Sequence, residues 1–463
     1  MFVETGDCRP LATMSASRSG GSAIILIDMN GEDTSRSGRR AHRRLRIAAG
    51  ILWAVAVALV AAWALWHSQT GASAAGTSTS NVVAVSTTLS TAPPTTSSSL
   101  PPTTEPATTE STTTSTTSTT EPPPLTVAAG GDVHGDRKVG TYIDAHGGAA
   151  VLAEVAPYLQ TADLAFVNLE GPISDKGSKV TFKEYTFRSR PALIEGLVSA
   201  GIDVASLANN HAVDCGQAAL LDTIERLDTA GVGHAGAGKD ITTARSPALL
   251  ETEAGTVAVL AFTDKYSSGY AAGAERAGIA PIGDGAKVLE AVRAAEEKAD
   301  YVIVSFHWGT EYTFNAAGYQ RSLAHKCVDA GADLILGHHP HVIQGLEVYK
   351  DKLIAYSLGD FVFDHRPGPT GETFVLQVTL GESGPPVARI IPVYLTDSHG
   401  IPAPVTGSKA DTILNRLIKL SAGFDTTLTR SGDVAWLNQT ASESSPESPA
   451  ATTEPATSSM SSD

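Results

Sequence analysis

The sequence predicts an α/β fold, and three observations carry that prediction. Short runs of almost wholly apolar residues recur between Leu125 and Leu395, as strands covered on both faces require. Amphipathic stretches with helical spacing lie between them. The apolar runs end in imidazole, carboxylate and carboxamide side chains, and in α/β proteins ligands bind at the carboxyl ends of strands.

In chain order, strands are expected at Leu125–Ala129, Leu164–Asn168, Asp203–Leu207, Thr256–Phe262, Tyr301–Phe306, Ala332–Leu336, Leu353–Leu358, Phe374–Leu380 and Ile390–Leu395. Gln217–Ala230 places Leu220, Ile224 and Leu227 on one helical face, and Ala286–Lys298 does the same with Val288, Leu289, Val292 and Ala295. Asp411–Leu420 is a candidate terminal helix. The expected domain is 125–410, with a largely disordered extension over 411–463.

The segments before it read differently. Ile47–Trp66 is 20 residues without a charge, long enough to span the roughly 30 Å hydrocarbon core as a helix. Six arginines lie between Arg36 and Arg46, and no Lys or Arg follows until Arg137. The positive-inside rule then puts a disordered, basic tail, 1–46, in the cytoplasm and everything after Trp66 outside. The run is longer than a usual signal-peptide core, which favours an uncleaved signal-anchor over cleavage near Ala72-Ser73-Ala74. Residues 67–124 are dominated by Ser, Thr and Pro. They have too little apolar surface to offset their chain entropy, so a disordered linker is expected.

Lys and Arg total 33 against 49 Asp and Glu, a formal charge of −16. That balance excludes a nucleic-acid binder, which needs a basic face. Cys8, Cys215 and Cys327 are too few and scattered for a disulfide framework or a zinc knuckle.

The chemistry lies at the strand ends. Asp132 and His134 are spaced i, i+2, which an extended backbone would put on one side. Asn168-Leu169-Glu170 ends a second run, and Asn209-Asn210-His211 with Asp214 a third. His307, with Glu311 to orient an imidazole N–H, follows a fourth. Gly337-His338-His339-Pro340-His341 ends a fifth. The proline should keep His339 extended, so that His339 and His341 share a side while His338 faces away. Imidazoles mixed with oxygen donors and no thiolate suit Mn, Fe or Zn. More candidates than one tetrahedral ion uses point to two divalent transition-metal ions. Arg188 and Arg190 are the candidate cations for an anionic substrate.

These motifs, in this order and together with Tyr356-Ser357-Leu358-Gly359-Asp360-Phe361, resemble the CapA/PgsA family of bacterial poly-γ-glutamate capsule synthesis proteins, within the calcineurin-like metallophosphatase superfamily. The resemblance covers roughly Leu125–Leu395. It implies a four-layer α/β/β/α metallophosphatase-like sandwich with metals at strand ends. It implies Asp132, Glu170, Asn210, His307, His339 and His341 as metal ligands, with Glu170 in the bridging position and His211 as the acid that protonates a leaving oxygen. His134 completes the Asp-x-His of ordinary metallophosphatases, and Asp360 stands where the family usually has Asn. The implied activity is a metal-dependent hydrolase or transferase acting on a phosphoester or an amide-linked anionic polymer in envelope biosynthesis. The alternative is a non-catalytic scaffold or polymer-binding subunit of a capsule synthesis and export complex.

Overall fold

The computed structural model describes residues 123–364, 368–381, 384–396 and 399–438, and separately a two-residue antiparallel ladder of Arg18–Ser19 with Ser22–Ala23. Ile47–Trp66, nearly all of the Ser/Thr/Pro segment, Cys8 and the residues after 438 lie outside the described residues. Among the described residues no helix is long and apolar enough to cross a membrane.

Two mixed sheets form the centre. The first is built on β1 (Leu125–Val133), which pairs in parallel with β2 (Leu164–Leu169); β3 (Val204–Ser206) and β4 (Gly233–Ala235) continue the parallel run. The second carries β5 (Ala248–Thr252) antiparallel to β6 (Gly255–Thr263), then β7 (Tyr301–His307) and β8 (Leu334–His338) in parallel. β9 (Leu346–Tyr349) and β10 (Lys352–Ala355) complete it as a hairpin, β10 parallel to β8. The chain then returns to the first sheet, where β11 (Asp360–Val362) lies parallel to β1. β12 (Glu372–Leu380) and β13 (Val387–Thr396) follow as antiparallel strands.

The apolar runs are buried on both faces. β2 and β7 have no exposed residue, as the sequence expects of doubly covered strands. One core joins the two sheets, with Val127, Phe166 and Val204 meeting Val259, Ile303 and Leu336. A second core packs Leu193, Leu197, Leu220 and Leu227 on the outer face of the first sheet. These come from α2 (Leu193–Ser199) and α3 (Gln217–Ala230), which follow α1 (Arg137–His146). A third sets Val288 and Val292 of α4 (Ala286–Glu296) and Ala324 and Cys327 of α5 (Gly318–Asp329) on the outer face of the second sheet. Cys215 and Cys327 are buried and free.

The folded part extends beyond residue 410. Helix α6 (Gly407–Ala422) puts Ile413, Leu414 and Leu417 into the inter-sheet core. Strand Val434–Leu437 then pairs with β13. The expectation of a largely disordered 411–463 fails for this stretch because its apolar stripe has a core to enter.

Candidate metal centre

β1, β2, β7 and β8 all end at one place, and the loops after them carry the candidate side chains. Close approach of backbones there demands glycine. A Cβ on Gly131 would stand 1.9 Å from the Gly359 carbonyl, and one on Gly337 1.9 Å from that of Tyr356. The Asp132 N–H accordingly reaches Gly359 O at 3.0 Å.

Asp132 is fully buried and holds the middle of the cluster. Oδ1 accepts from Asn168 Nδ2 at 2.9 Å and lies 3.2 Å from His338 Nδ1. Oδ2 accepts the His339 N–H at 3.1 Å and lies 4.0 Å from His341 Nδ1. Around it stand three overlapping groups whose ligand-type atoms lie within 4.8 Å of one another: Asp132, Glu170 and His307; Asp132, His341 and Asp360; and His339, His341 and Glu311. Asn210 joins the first, its Oδ1 2.8 Å from His307 Nε2, which is also 3.5 Å from Glu170 Oε1. Glu311 is the exposed member of the third, grouped with His339 and His341 rather than with His307.

Electrostatics divide these groups. Burial would raise Asp132, but His338, His341 and Asn168 together hold it below the usual carboxylate range. Burial, then repulsion from Asp132, push Glu170 well above its ordinary value. Burial lowers His307 well below a normal imidazole, His211 to about 4 and His339 to about 3. Burial lowers His341 too, but Asp360, Glu170 and Asp132 outweigh it and raise this imidazole to about 10.

Glu170 provides the test of whether a cation suits the site. Its carboxylate is 0% exposed and, among the described residues, neither oxygen has a hydrogen-bond donor. A buried carboxylate without donors is tolerable only with a proton or a cation beside it. Imidazoles and oxygen donors with no thiolate make a set that fits a divalent transition-metal ion.

His211 stands at the edge of this cluster. Its Nδ1 lies 2.6 Å from Asp214 Oδ2, and its Nε2 faces Glu170 Oε2 at 4.0 Å. Asp214 also accepts from Tyr270 Oη at 3.0 Å and Lys183 Nζ at 2.6 Å. A cleft of about 180 Å³ opens beside it, with His211, His341 and Asp360 at the base and Arg137, Tyr185 and Tyr312 among the residues of its wall.

Four expectations are corrected by the geometry. His134 stays out of the cluster. β1 ends at Val133, and its pairing with β11 slips between Asp360 and Val362, so the alternation that would align His134 with Asp132 is broken. The His134 Nδ1 accepts the Asp136 N–H at 3.1 Å, and Nε2 lies 3.0 Å from Asp364 Oδ1. His339 is not extended: its φ is +95°, and that of His341 is +56°, a conformation that costs a non-glycine residue on the order of 1 kcal/mol or more. His338 faces inward, fully buried beside Asp132. Arg188 and Arg190 point away, because Phe187 and Ser189 take the buried side of their segment. Arg188 Nε donates to Cys215 Sγ, and Arg190 forks onto Asp144.

Sequence reasoning missed Arg137, which lines the cleft, donates from Nε to Asp364 at 3.0 Å and lies 5.3 Å above the Phe187 ring. Its position immediately after Asp136, at a strand-to-helix turn, was the available signal. Asn168, which the sequence marked only as part of a strand-end motif, faces Asp132 in the β1–β2 register and reaches His307 Nδ1 at 3.2 Å.

This is an α/β protein with a buried cluster of metal-ligand-type side chains collected at the strand ends. The chain belongs to the family described as bacterial capsule synthesis protein PGA_cap, whose model matches residues 126–365. It is 33% identical over 289 residues to the capsule biosynthesis protein CapA of Bacillus anthracis, covering 61% of this chain and 70% of that one. It is 32% identical over 291 residues to the PGA biosynthesis protein CapA of Bacillus subtilis, covering 62% and 76%. A 5'-nucleotidase structure from Candida albicans overlaps 66% of this chain and 60% of its own at 10% identity and a TM-score of 0.35, too slight a likeness to carry an activity across.

Proposed function

We propose that this chain serves capsule or envelope-polymer biosynthesis as a membrane-anchored, extracytoplasmic protein, and that its strand-end cluster is a dinuclear metal centre of a metallophosphatase-like hydrolase or transferase. The substrate class is a phosphoester or an amide-linked anionic polymer. The two CapA relatives support the biological setting. The uncharged 20-residue run Ile47–Trp66 behind its arginines supports the anchor. The single observation that carries the chemistry is the buried carboxylate of Glu170, without a donor among the described residues and set among imidazoles.

In this reading Asp132, Glu170, Asn210, His307, His339 and His341 hold the ions. Bound divalent ions would supply Lewis acidity, an activated water and a clamp on the attacking and leaving oxygens. The chain's own groups do the rest. Asp214 fixes the His211 ring through Nδ1, leaving Nε2 to hand a proton to the leaving oxygen. Burial keeps His211 neutral in the free protein, and an anion bound beside it favours its protonation. Arg137, held by Asp364 over Phe187, presents a guanidinium to an entering carboxylate or phosphate.

The test is elemental analysis of the full chain purified in detergent, with His339→Ala and Asp132→Asn beside it. About two ions per chain, lost in the variants, are expected of a dinuclear centre. A folded chain that takes up no Mn, Fe or Zn would refute the catalytic reading and leave a scaffold or polymer-binding role. Loss of polymer assembly in His339→Ala cells that still localise the protein separates catalysis from scaffolding.

A further inference from the structure

We propose that Asp360 is itself a metal ligand in this chain and occupies the coordination position that an Asp-x-His pattern would assign to His134. The inference rests on the metal-centre reading above and deepens it.

Asp360 opens β11, and its register partner on β1 is Asp132. Paired positions on neighbouring parallel strands project to the same face, so two carboxylates meet at one height. Asp360 is 2% exposed, and its Oδ1 lies 2.7 Å from His341 Nδ1, which is 4.0 Å from Asp132 Oδ2. Two ligand atoms each about 2.1 Å from one ion stand roughly 3.0–3.4 Å apart at octahedral or tetrahedral angles. The observed separations bracket that range, so small rotations of these side chains close them around a single cation. The donor-free carboxylate of Glu170 lies close enough to feel the charge of both Asp132 and Asp360.

His134 has no such freedom. A neutral imidazole has one donor and one acceptor nitrogen, and both are committed, one to the Asp136 N–H and one to Asp364. The ring is stacked on Phe187 at 4.5 Å and meets Phe363 edge-on at 4.3 Å. Turning a nitrogen toward Asp132 would break both hydrogen bonds and the stack. Through Asp364 the imidazole instead braces Arg137 at the cleft mouth. Exchanging a neutral imidazole for a carboxylate also adds negative charge and hardens the donor set, which favours Mn or Fe over Zn.

The experiment strips the full chain with a chelator, reloads it with Mn²⁺ or Co²⁺, and measures stoichiometry, affinity and the visible Co²⁺ spectrum. Wild type is measured first; Asp360→Asn and His134→Gln follow. His134→Phe is the second variant at that position and keeps the ring stack. Asp360→Asn is expected to lose one ion equivalent or bind it at least tenfold more weakly, with an altered Co²⁺ spectrum. Both His134 variants are expected to keep the wild-type stoichiometry and spectrum. An unchanged Asp360→Asn, or an ion lost from a folded His134 variant, would overturn the assignment while leaving the metal centre intact. A wild type that binds no ion would overturn both.

Discussion

Replacing Glu170 by Gln should stabilise the metal-free protein while weakening its response to metal. The side chain is fully buried, lacks donors and sits beside Asp132 and Asp360. Its carboxyl is raised well above 4.5 by burial first and Asp132 second. The sign follows from linkage: above about pH 4.5 the unfolded chain releases this proton while the folded chain keeps it, so metal-free stability falls as pH rises through that region. A neutral carboxamide removes this slope. At neutral pH the gain should be about 1–3 kcal/mol, since each unit by which the folded carboxyl is raised costs about 1.4 kcal/mol that a carboxamide does not incur. At roughly 2 °C per kcal/mol for a domain of this size, the midpoint should rise by about 2–6 °C. Metal at a hundredfold excess over Kd should stabilise wild type by about 2.7 kcal/mol and Glu170→Gln by clearly less. Thermal unfolding of chelator-treated and Mn-loaded protein across pH measures both effects. A metal-free Glu170→Gln that melts below wild type, or an equal metal response in the two proteins, would refute the reasoning.

Three further outcomes are expected. Arg137→Ala should bind inorganic phosphate about tenfold more weakly in the metal-loaded protein, as the loss of one charged hydrogen bond implies; titration calorimetry checks it, and an unchanged Kd rules the guanidinium out. Trp308→Ala should cost about 3–5 kcal/mol, because the ring is fully buried, stacks on Phe306 at 4.4 Å and donates Nε1–H to Tyr356 O; denaturant unfolding measures it. Burial would raise Asp222, but Lys176, Ser174 and Arg226 hold it down to about 2. Its contribution of about 1 kcal/mol, discounted for solvent screening, is therefore present above about pH 4 and lost as pH falls toward 2; Asp222→Asn should flatten that acid limb in a pH series of unfolding curves.

Much of the fold was legible because burial leaves a local mark. The apolar runs that start at Leu164, Tyr301 and Phe374 all lie within strands, and Gln217–Ala230 begins and ends where its spacing says. The strand-end ligand types were legible for the same reason: Asp132, Glu170, His307 and His339 are polar residues at the ends of apolar runs, and there they lie together. What misled was local geometry. Asp132 and His134 are two apart, but a strand end and a register slip intervene. A proline after His339 argues for an extended residue, but the Asp132 carboxylate holds its N–H in a left-handed turn. Arg188 has the charge for an anion site, yet alternation along its segment turns it toward Cys215.

By itself, then, the sequence determined the α/β class, the apolar strands β1–β3, β6–β8, β10, β12 and β13, and the ends at which the polar residues gather, since each depends on neighbours within a few residues; β4, β5, β9 and β11 it left unmarked. Only the tertiary structure decided which of those residues share a centre. That Asp360 meets Asp132, that Arg137 rather than Arg188 stands at the cleft, and that α6 closes the inter-sheet core all depend on contacts between segments far apart in the chain. Such contacts are set by register and sheet pairing, and no local periodicity encodes them.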